Sequence, residues 1–236
     1  MTDGLGRRTP GGPIPDDVSH SVRRALTGQW PRWRGRLHRV GIPLTAAAGV
    51  LLVLSAPAGR DRVGAAIFSA GAVAMFSVSG LVHLRRWSVP LWEVLYRCDH
   101  AAIFLLIGAS VTPLALSALD GGAGRLMLWA VWIGAALGIT MRLLPFHPPK
   151  GLMNTLFIIL GGVPVVVAPS LNSALEPTAL ALVGLEGLLY VAGALMLGAR
   201  WPRLRPGVFG YHEVWHTLVV LAVAAHFGAV SFIIHG

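Results

Sequence analysis

Long apolar stretches recur along almost the whole chain and constrain its fold more than any other feature. A window of about 20 apolar residues is long enough to cross a bilayer as a helix. Seven such windows lie at about 41–59, 63–84, 99–119, 125–144, 152–171, 178–199 and 212–235. In lipid the backbone must satisfy its own hydrogen bonds, which favours helices. The sequence therefore predicts an all-α integral membrane bundle of seven transmembrane helices.

The composition agrees with a membrane protein and argues against a nucleic-acid partner. Of the 236 residues, 55% are apolar and 12% are charged, and the formal charge is +9. The basic residues fall in short groups between the apolar stretches instead of forming one patch, which is typical of a chain beside an anionic membrane surface. We therefore expect membrane lipid as a partner and no nucleic acid.

The basic residues also indicate the orientation of the chain. If the first forty residues are cytoplasmic, 16 Lys and Arg lie on the cytoplasmic side and 3 lie outside. The positive-inside rule then predicts a cytoplasmic N-terminus, an external C-terminus and a multi-pass protein of the cytoplasmic membrane. Residues 1–40 are expected to form a basic cytoplasmic tail, with an interfacial helix at about 19–40, ahead of a membrane domain at 41–236.

A twin-arginine signal at Arg23-Arg24 is the disfavoured alternative. About sixteen residues separate this pair from the first apolar stretch, whereas a signal peptide keeps its basic region next to the hydrophobic one.

Two histidines four residues apart, His212 and His216, open the last apolar stretch. On a helix these positions share one face, so both rings can reach a single metal ion. The predicted topology brings His83, Asp99 and His212 to one depth, with Ser79 one turn from His83. Three histidines, a carboxylate and a hydroxyl at one level match a zinc site with three protein ligands and an open fourth position. The alternative is that each histidine is an interfacial hydrogen-bonding residue.

The same run also satisfies the HExxH pattern of zinc peptidases, in which the glutamate is the general base. Glu213 is the last acidic residue of the chain, and Ala222 stands where the extended pattern requires a third histidine. An intramembrane protease is therefore disfavoured.

Several short runs occur in a fixed order across nearly the whole membrane region. They are Arg34-Gly35-Arg36-Leu37-His38, Ser79-Gly80-Leu81-Val82-His83, Asp99-His100-Ala101-Ala102-Ile103, Ser110-Val111-Thr112-Pro113, Gly187-Leu188-Leu189-Tyr190 with Gly193, Phe209-Gly210-Tyr211-His212-Glu213-Val214-Trp215-His216, and His226-Phe227. In this order they resemble the hemolysin III family, the bacterial branch of the superfamily that includes progestin and adipoQ receptors. The resemblance implies that His83, His212 and His216 coordinate zinc near the cytoplasmic face, with Asp99 and Ser79 in or next to the shell around the ligands.

The resemblance permits a lipid amide hydrolase, because the receptor branch is associated with ceramidase-like activity. A site just inside the headgroup layer suits the amide or ester of a lipid, and Asp99 can orient a water molecule or carry its proton. The alternative is a non-enzymatic homeostasis or sensing protein, with structural zinc tying the second and seventh helices. The family name implies a cytolysin, which we disfavour because the chain lacks the amphipathic strands or helices of a secreted pore-former.

Glu186 and His226 lie deep within the sixth and seventh predicted helices. At 1.5 Å per residue they are about 13 Å and about 15 Å from the outer ends of those helices, and an unpaired charge at that depth costs about 3 kcal/mol. We predict that the two side chains face each other, either as an ion pair or as a neutral hydrogen-bonded pair. The alternative is a protonated Glu186 bonded to a backbone carbonyl. Glu186 and Val82 also depart from the family pattern, which often has a glycine and an aromatic residue there.

Overall fold

The computed structural model describes residues 30–144 and 151–236, and there the chain is built of helices. In chain order they are α1 (Arg36–Ser55), α2 (Arg60–Val82), α3 (Val89–Pro113), α4 (Gly121–Leu143), α5 (Leu152–Gly161), α6 (Val163–Val166), α7 (Ala168–Ala174), α8 (Pro177–Ala199) and α9 (Tyr211–His235). A π-helical turn, Leu114–Ala118, continues α3. No strand is present in these two ranges apart from an isolated bridge, so the all-α prediction is confirmed.

Six helices are long and apolar enough to cross a membrane, with 20 to 30 residues each when the π-helical turn is counted with α3. The helical membrane bundle is therefore confirmed, but the count of seven is not. The fifth predicted window contains α5, α6 and α7 in place of one long helix. Glycine is a poor helix former, and proline lacks an N–H group and clashes with the preceding turn. The helix breaks accordingly at Gly161-Gly162, and α6 and α7 each carry proline in their first turn.

The third helix begins at Val89, nearly three turns before the predicted start at Asp99. Pro90 lies in the first turn, where its missing N–H group costs no helical hydrogen bond. The following turns are polar, with Arg97 and Glu93 paired at 3.7 Å. An apolar window misses such turns, so Asp99 lies inside a helix and not at its start.

The first helix begins at Arg36, slightly earlier than predicted. Residues 1–29, which contain the predicted tail and much of the predicted interfacial helix, lie outside the described residues. Of the remainder, residues 30–35 are not helical and 36–40 belong to α1.

The long helices form a ring in which α1 to α4 pack in chain order, α8 packs on α9 and α9 returns to α1, with the short α5 between α4 and α8. The interior mixes small and large side chains, since Ala65 and Phe68 both have no exposed surface, whereas Leu54 and Val166 are about three-quarters exposed at 73% and 75%. A Cβ atom on Gly71 would lie 2.4 Å from the Cβ of Ala109, so α2 and α3 are as close as glycine permits. Close helix contacts at small residues, with large apolar side chains on the outer surface, suit a bundle surrounded by lipid.

Candidate metal centre

The functional candidates gather at one end of the bundle, where α1 and α9 begin and α2 and α8 end. We call this the histidine end. His212 and His216 occupy the first two turns of α9, and His83 directly follows the last residue of α2. One ligand atom from each of the three rings lies within 4.8 Å of the others. The Nε2 atoms of His212 and His83 are 3.3 Å apart. Side chains 129 residues apart in the sequence are thus brought together as predicted.

Asp99 and Ser79 lie beside this cluster. The Asp99 Oδ2 atom is 3.9 Å from His83 Nε2, and the Ser79 hydroxyl donates a hydrogen bond to the Asp99 carboxylate. Ser79 is one turn before His83 on α2, and Asp99 reaches the cluster from the neighbouring α3. The structure therefore groups all five residues that the sequence analysis selected.

His38 was not selected, yet it is part of the same cluster. Its ring stacks on that of His216 with a centroid distance of 3.9 Å and an interplanar angle of 19°. The residue is 2% exposed, and neither ring nitrogen has a hydrogen-bond partner in the part of the chain that the structure describes. Because α1 starts at residue 36, His38 lies at the depth of the other histidines. The sequence analysis missed this residue because it expected the helix to start at 41.

Glu213, the glutamate of the HExxH pattern, already accepts two hydrogen bonds. Its Oε2 atom accepts a hydrogen bond from the Gly210 amide at 2.9 Å, which caps the start of α9. Its Oε1 atom accepts one from Arg34 Nε at 2.7 Å. Glu213 is 2% exposed. A side chain whose two oxygens both already accept hydrogen bonds is not placed as a general base, which agrees with the sequence argument against a peptidase.

The turn before α1 presses against the cluster. Gly35 has a left-handed backbone with φ of 68°, a conformation that favours glycine. A Cβ atom there would lie 2.5 Å from the Cβ of His83. The position of His83 is thus set by the backbone of the turn as well as by α2.

A cavity of about 770 Å³ contains the cluster. Its mouth is bounded by the segment before α1 and by the loop between α8 and α9, and Tyr190 lines it deeper in the bundle. At 1.5 Å per residue, Tyr190 is about 13.5 Å from the end of α8, so the cavity reaches well past the level of the histidines. Apolar walls with a few converging polar groups are typical of a small-molecule site.

A second buried polar pair lies deeper still. The Nδ1 atom of His226 on α9 is 2.5 Å from Oε2 of Glu186 on α8. The two residues are 1% and 8% exposed, and the ring of His226 meets Phe68 edge to face at 4.5 Å. The predicted pairing is confirmed.

Comparisons with known proteins agree with these features. The family model described as "Haemolysin-III related" matches residues 29–227. The chain is 26% identical over 200 residues to "Hemolysin-3 homolog" of Bacillus subtilis (strain 168), covering 83% of this chain and 90% of that protein. It is 27% identical over 176 residues to the human "Monocyte to macrophage differentiation factor", covering 72% of this chain and 70% of that protein. It is also 30% identical over 189 residues to "Heptahelical transmembrane protein ADIPOR2" of Oryza sativa subsp. japonica, covering 72% of this chain and 81% of that protein.

Proposed function

The chain belongs to the haemolysin-III-related family, and from its histidine cluster we propose that it is a zinc-dependent hydrolase of a membrane lipid. His83, His212 and His216 hold the ion, and the substrate is the amide or ester of a lipid. The observation that carries the proposal is the close approach of three imidazoles inside a cavity among apolar helices. The excess of arginine at the histidine end supports a cytoplasmic location for the site.

The donor set fits zinc. Neutral imidazole is a preferred zinc ligand, and two nitrogens at about 2.05 Å from a tetrahedral ion lie about 3.3 Å apart. The Nε2 atoms of His83 and His212 have this separation. The carboxylate of Asp99 adds the negative charge that stabilises a cation nearby, and its bond to Ser79 fixes its direction. Such outer hydrogen bonds commonly orient metal sites.

A zinc ion at this position supplies a Lewis acid that polarises a carbonyl group and lowers the pKa of water. Asp99 is the residue placed to accept a proton from the attacking water and return it to the leaving nitrogen or oxygen. Ser79 holds the carboxylate in place for that transfer. The apolar walls exclude bulk water, which strengthens these electrostatic interactions.

One observation favours a second candidate, a sensing or homeostasis protein in which zinc is a structural clamp. His83 follows α2 and His212 begins α9, and these two helices contact each other over only a short stretch. An ion shared between them would join parts of the ring that pack little by themselves. Binding and catalysis can therefore be separated experimentally, because a clamp contributes to stability and has no turnover to lose.

Metal analysis of the purified full-length chain tests the site. We expect one zinc per chain in the wild type and its loss, with lower thermal stability, in His216→Ala. The matched control is His235→Ala, because His235 is exposed at the opposite end of α9 and bonds Ser55 at 3.1 Å. The control should keep its zinc. Unchanged metal content in His216→Ala would refute the site.

A lipid hydrolysis assay then separates the two candidates. Purified protein is incubated with a panel of acyl amides and esters, with and without chelator. If the protein is a hydrolase, we expect turnover that the chelator stops. We also expect Asp99→Asn to abolish turnover while retaining zinc. Zinc without turnover across the panel would favour the clamp, and zinc lost in Asp99→Asn would make Asp99 a direct ligand.

A further inference from the structure

The mouth of the cavity carries a group of arginines that the zinc site does not use. Arg200, Arg203 and Arg205 line it from the loop between α8 and α9, and Arg34 lines it from the segment before α1. Arg34 is already bonded to Glu213. For the other three guanidinium groups, no carboxylate in the described ranges, 30–144 and 151–236, lies within ion-pair distance. Three guanidinium groups with no carboxylate partner among the described residues therefore face one opening.

The loop that presents these arginines is held by backbone hydrogen bonds. Arg205 and Phe209 exchange two N–H···O bonds of 2.9 Å each, forming an isolated antiparallel bridge. The amides of Arg32 and Trp33 donate to the carbonyls of Gly207 and Val208 at 3.1 and 3.2 Å. The guanidinium groups thus emerge from a wall of fixed shape, and a prearranged site loses less entropy on binding.

The acidic groups that line the cavity do not neutralise the arginines. They are Asp99 and Glu213. Glu213 is engaged by Arg34 and by the cap of α9, and Asp99 by Ser79 and His83. An anion entering the mouth would gain guanidinium hydrogen bonds, the strongest class of contact to phosphate. Deeper in, Ile103, Leu106 and Val219 supply an apolar wall that suits an acyl chain.

We propose that the cavity selects acyl lipids with an anionic, phosphate-bearing headgroup, and that Arg203 and Arg205 bind this headgroup at the mouth. The inference rests on the proposed function in taking the cavity as the substrate site. A glycerophospholipid carries its acyl esters on the carbons next to the headgroup. With the phosphate at the mouth, the ester lies toward the histidines and the chain continues along the apolar wall.

The test measures equilibrium binding to the purified full-length chain in neutral detergent, at an ionic strength of about 0.15 M. The probes are dioctanoyl phosphatidylglycerol, dioctanoyl phosphatidylcholine and inorganic phosphate. We expect phosphatidylglycerol to bind at least about tenfold more tightly than phosphatidylcholine. Both lipids carry the phosphate, but the choline group also brings a cation beside the arginines, and placing like charges side by side weakens binding by about that factor or more. In the double variant Arg203→Gln/Arg205→Gln that preference should fall below about twofold.

The control variant is Arg36→Gln/Arg85→Gln, which removes the same charge from the same end of the bundle. Both residues are exposed, contact Trp33 and Trp87 respectively, and do not line the cavity. The control should keep the full preference. Equal binding of the two lipids by the wild type, or equal loss in both double variants, overturns the inference. Inorganic phosphate binding as tightly as the lipid would show an anion site without lipid selection, which also overturns it.

The outcome of this binding test can be distinguished from the outcome of the tests of the proposed function. Arg203→Gln/Arg205→Gln should retain zinc, because neither residue belongs to the histidine cluster. If the wild type binds zinc but shows no headgroup preference, the further inference is refuted and the proposed function stands. If it shows the preference but binds no zinc, the hydrolase proposal is refuted and the lipid-binding cavity remains.

Discussion

The buried pair of Glu186 and His226 offers a quantitative test of how the bundle is held together. Nδ1 of His226 lies 2.5 Å from Oε2 of Glu186, closer than the about 2.7 to 2.9 Å of most charge-assisted N–H···O hydrogen bonds. Replacing His226 by Leu leaves the carboxyl group buried at 8% exposure without its partner. A buried polar group left without its partner costs about 1 to 3 kcal/mol, and more when it is charged, so we expect a loss of about 3 kcal/mol in the free energy of unfolding.

The reverse substitution, Glu186→Leu, should cost less, about 1 to 3 kcal/mol. A neutral imidazole is cheaper to bury than a carboxylate, and Nε2 of His226 already has no partner in the described residues. The double variant removes both polar groups and should lie within about 1 kcal/mol of the wild type. The coupling energy is then about 3 kcal/mol or more. Ordinary hydrogen bonds between membrane helices couple by about 0.6 kcal/mol, with a maximum near 1.7.

The assay is equilibrium unfolding in bicelles for the four proteins of the double-mutant cycle. Glu186→Gln serves as a conservative control, because its amide keeps a hydrogen-bonding atom opposite Nδ1 and should cost only about 1 kcal/mol. A coupling energy below about 0.6 kcal/mol, with the two single losses adding in the double variant, would refute the reasoning. The pair would then be no stronger than any other polar contact in the bundle.

Three further predictions concern packing: two lie at the histidine end, and the third, at the contact between α2 and α3, has Gly184 as its control. His38→Ala removes the ring stacked on His216 and should weaken zinc binding about tenfold without abolishing it, which competition with a metal indicator measures. Arg34→Gln removes the charge-assisted bond to Glu213 and should lower the unfolding free energy by about 1.5 to 3 kcal/mol, with unchanged stability as the contrary result. Gly71→Leu has no room beside α3 and should cost about 1 to 3 kcal/mol. Gly184→Ala, which meets no atom within 4 Å, should be neutral or slightly stabilising in the same unfolding assay.

The histidine cluster was predictable because membrane helices fix depth. A residue near the end of one helix and a residue near the start of an antiparallel partner reach the same level whatever lies between them. His83 and His212 meet for this reason, although 129 residues separate them. The same argument placed Glu186 opposite His226. Depth does not determine which helices are neighbours, so the precise contacts, such as the bond between Ser79 and Asp99, required the structure.

The errors arose where helix boundaries depend on more than apolar content. The early turns of α3 contain Glu93 and Arg97, which stabilise the helix by pairing and not by burial. An apolar window therefore began at Asp99. The same bias delayed the start of α1 and hid His38.

In the fifth window the error was of the opposite kind, because the sequence analysis predicted more continuous helix than the structure contains. The residues are apolar throughout, but Gly161, Gly162, Pro164 and Pro169 divide them among three short helices. Hydropathy measures transfer into lipid and is insensitive to a backbone that cannot continue a helix.

The distance along the chain between the ligand residues has a consequence for biogenesis. The loop after α2 emerges from the ribosome before α9, which follows every other described helix in the chain. Until α9 inserts, His83 has neither His212 nor His216 beside it, and no two of the described helices before α9 can substitute for that pair in the cluster. An ion that requires all three rings is therefore bound only after α9 has joined the other described helices. Metal occupancy would then report that α9 has been inserted.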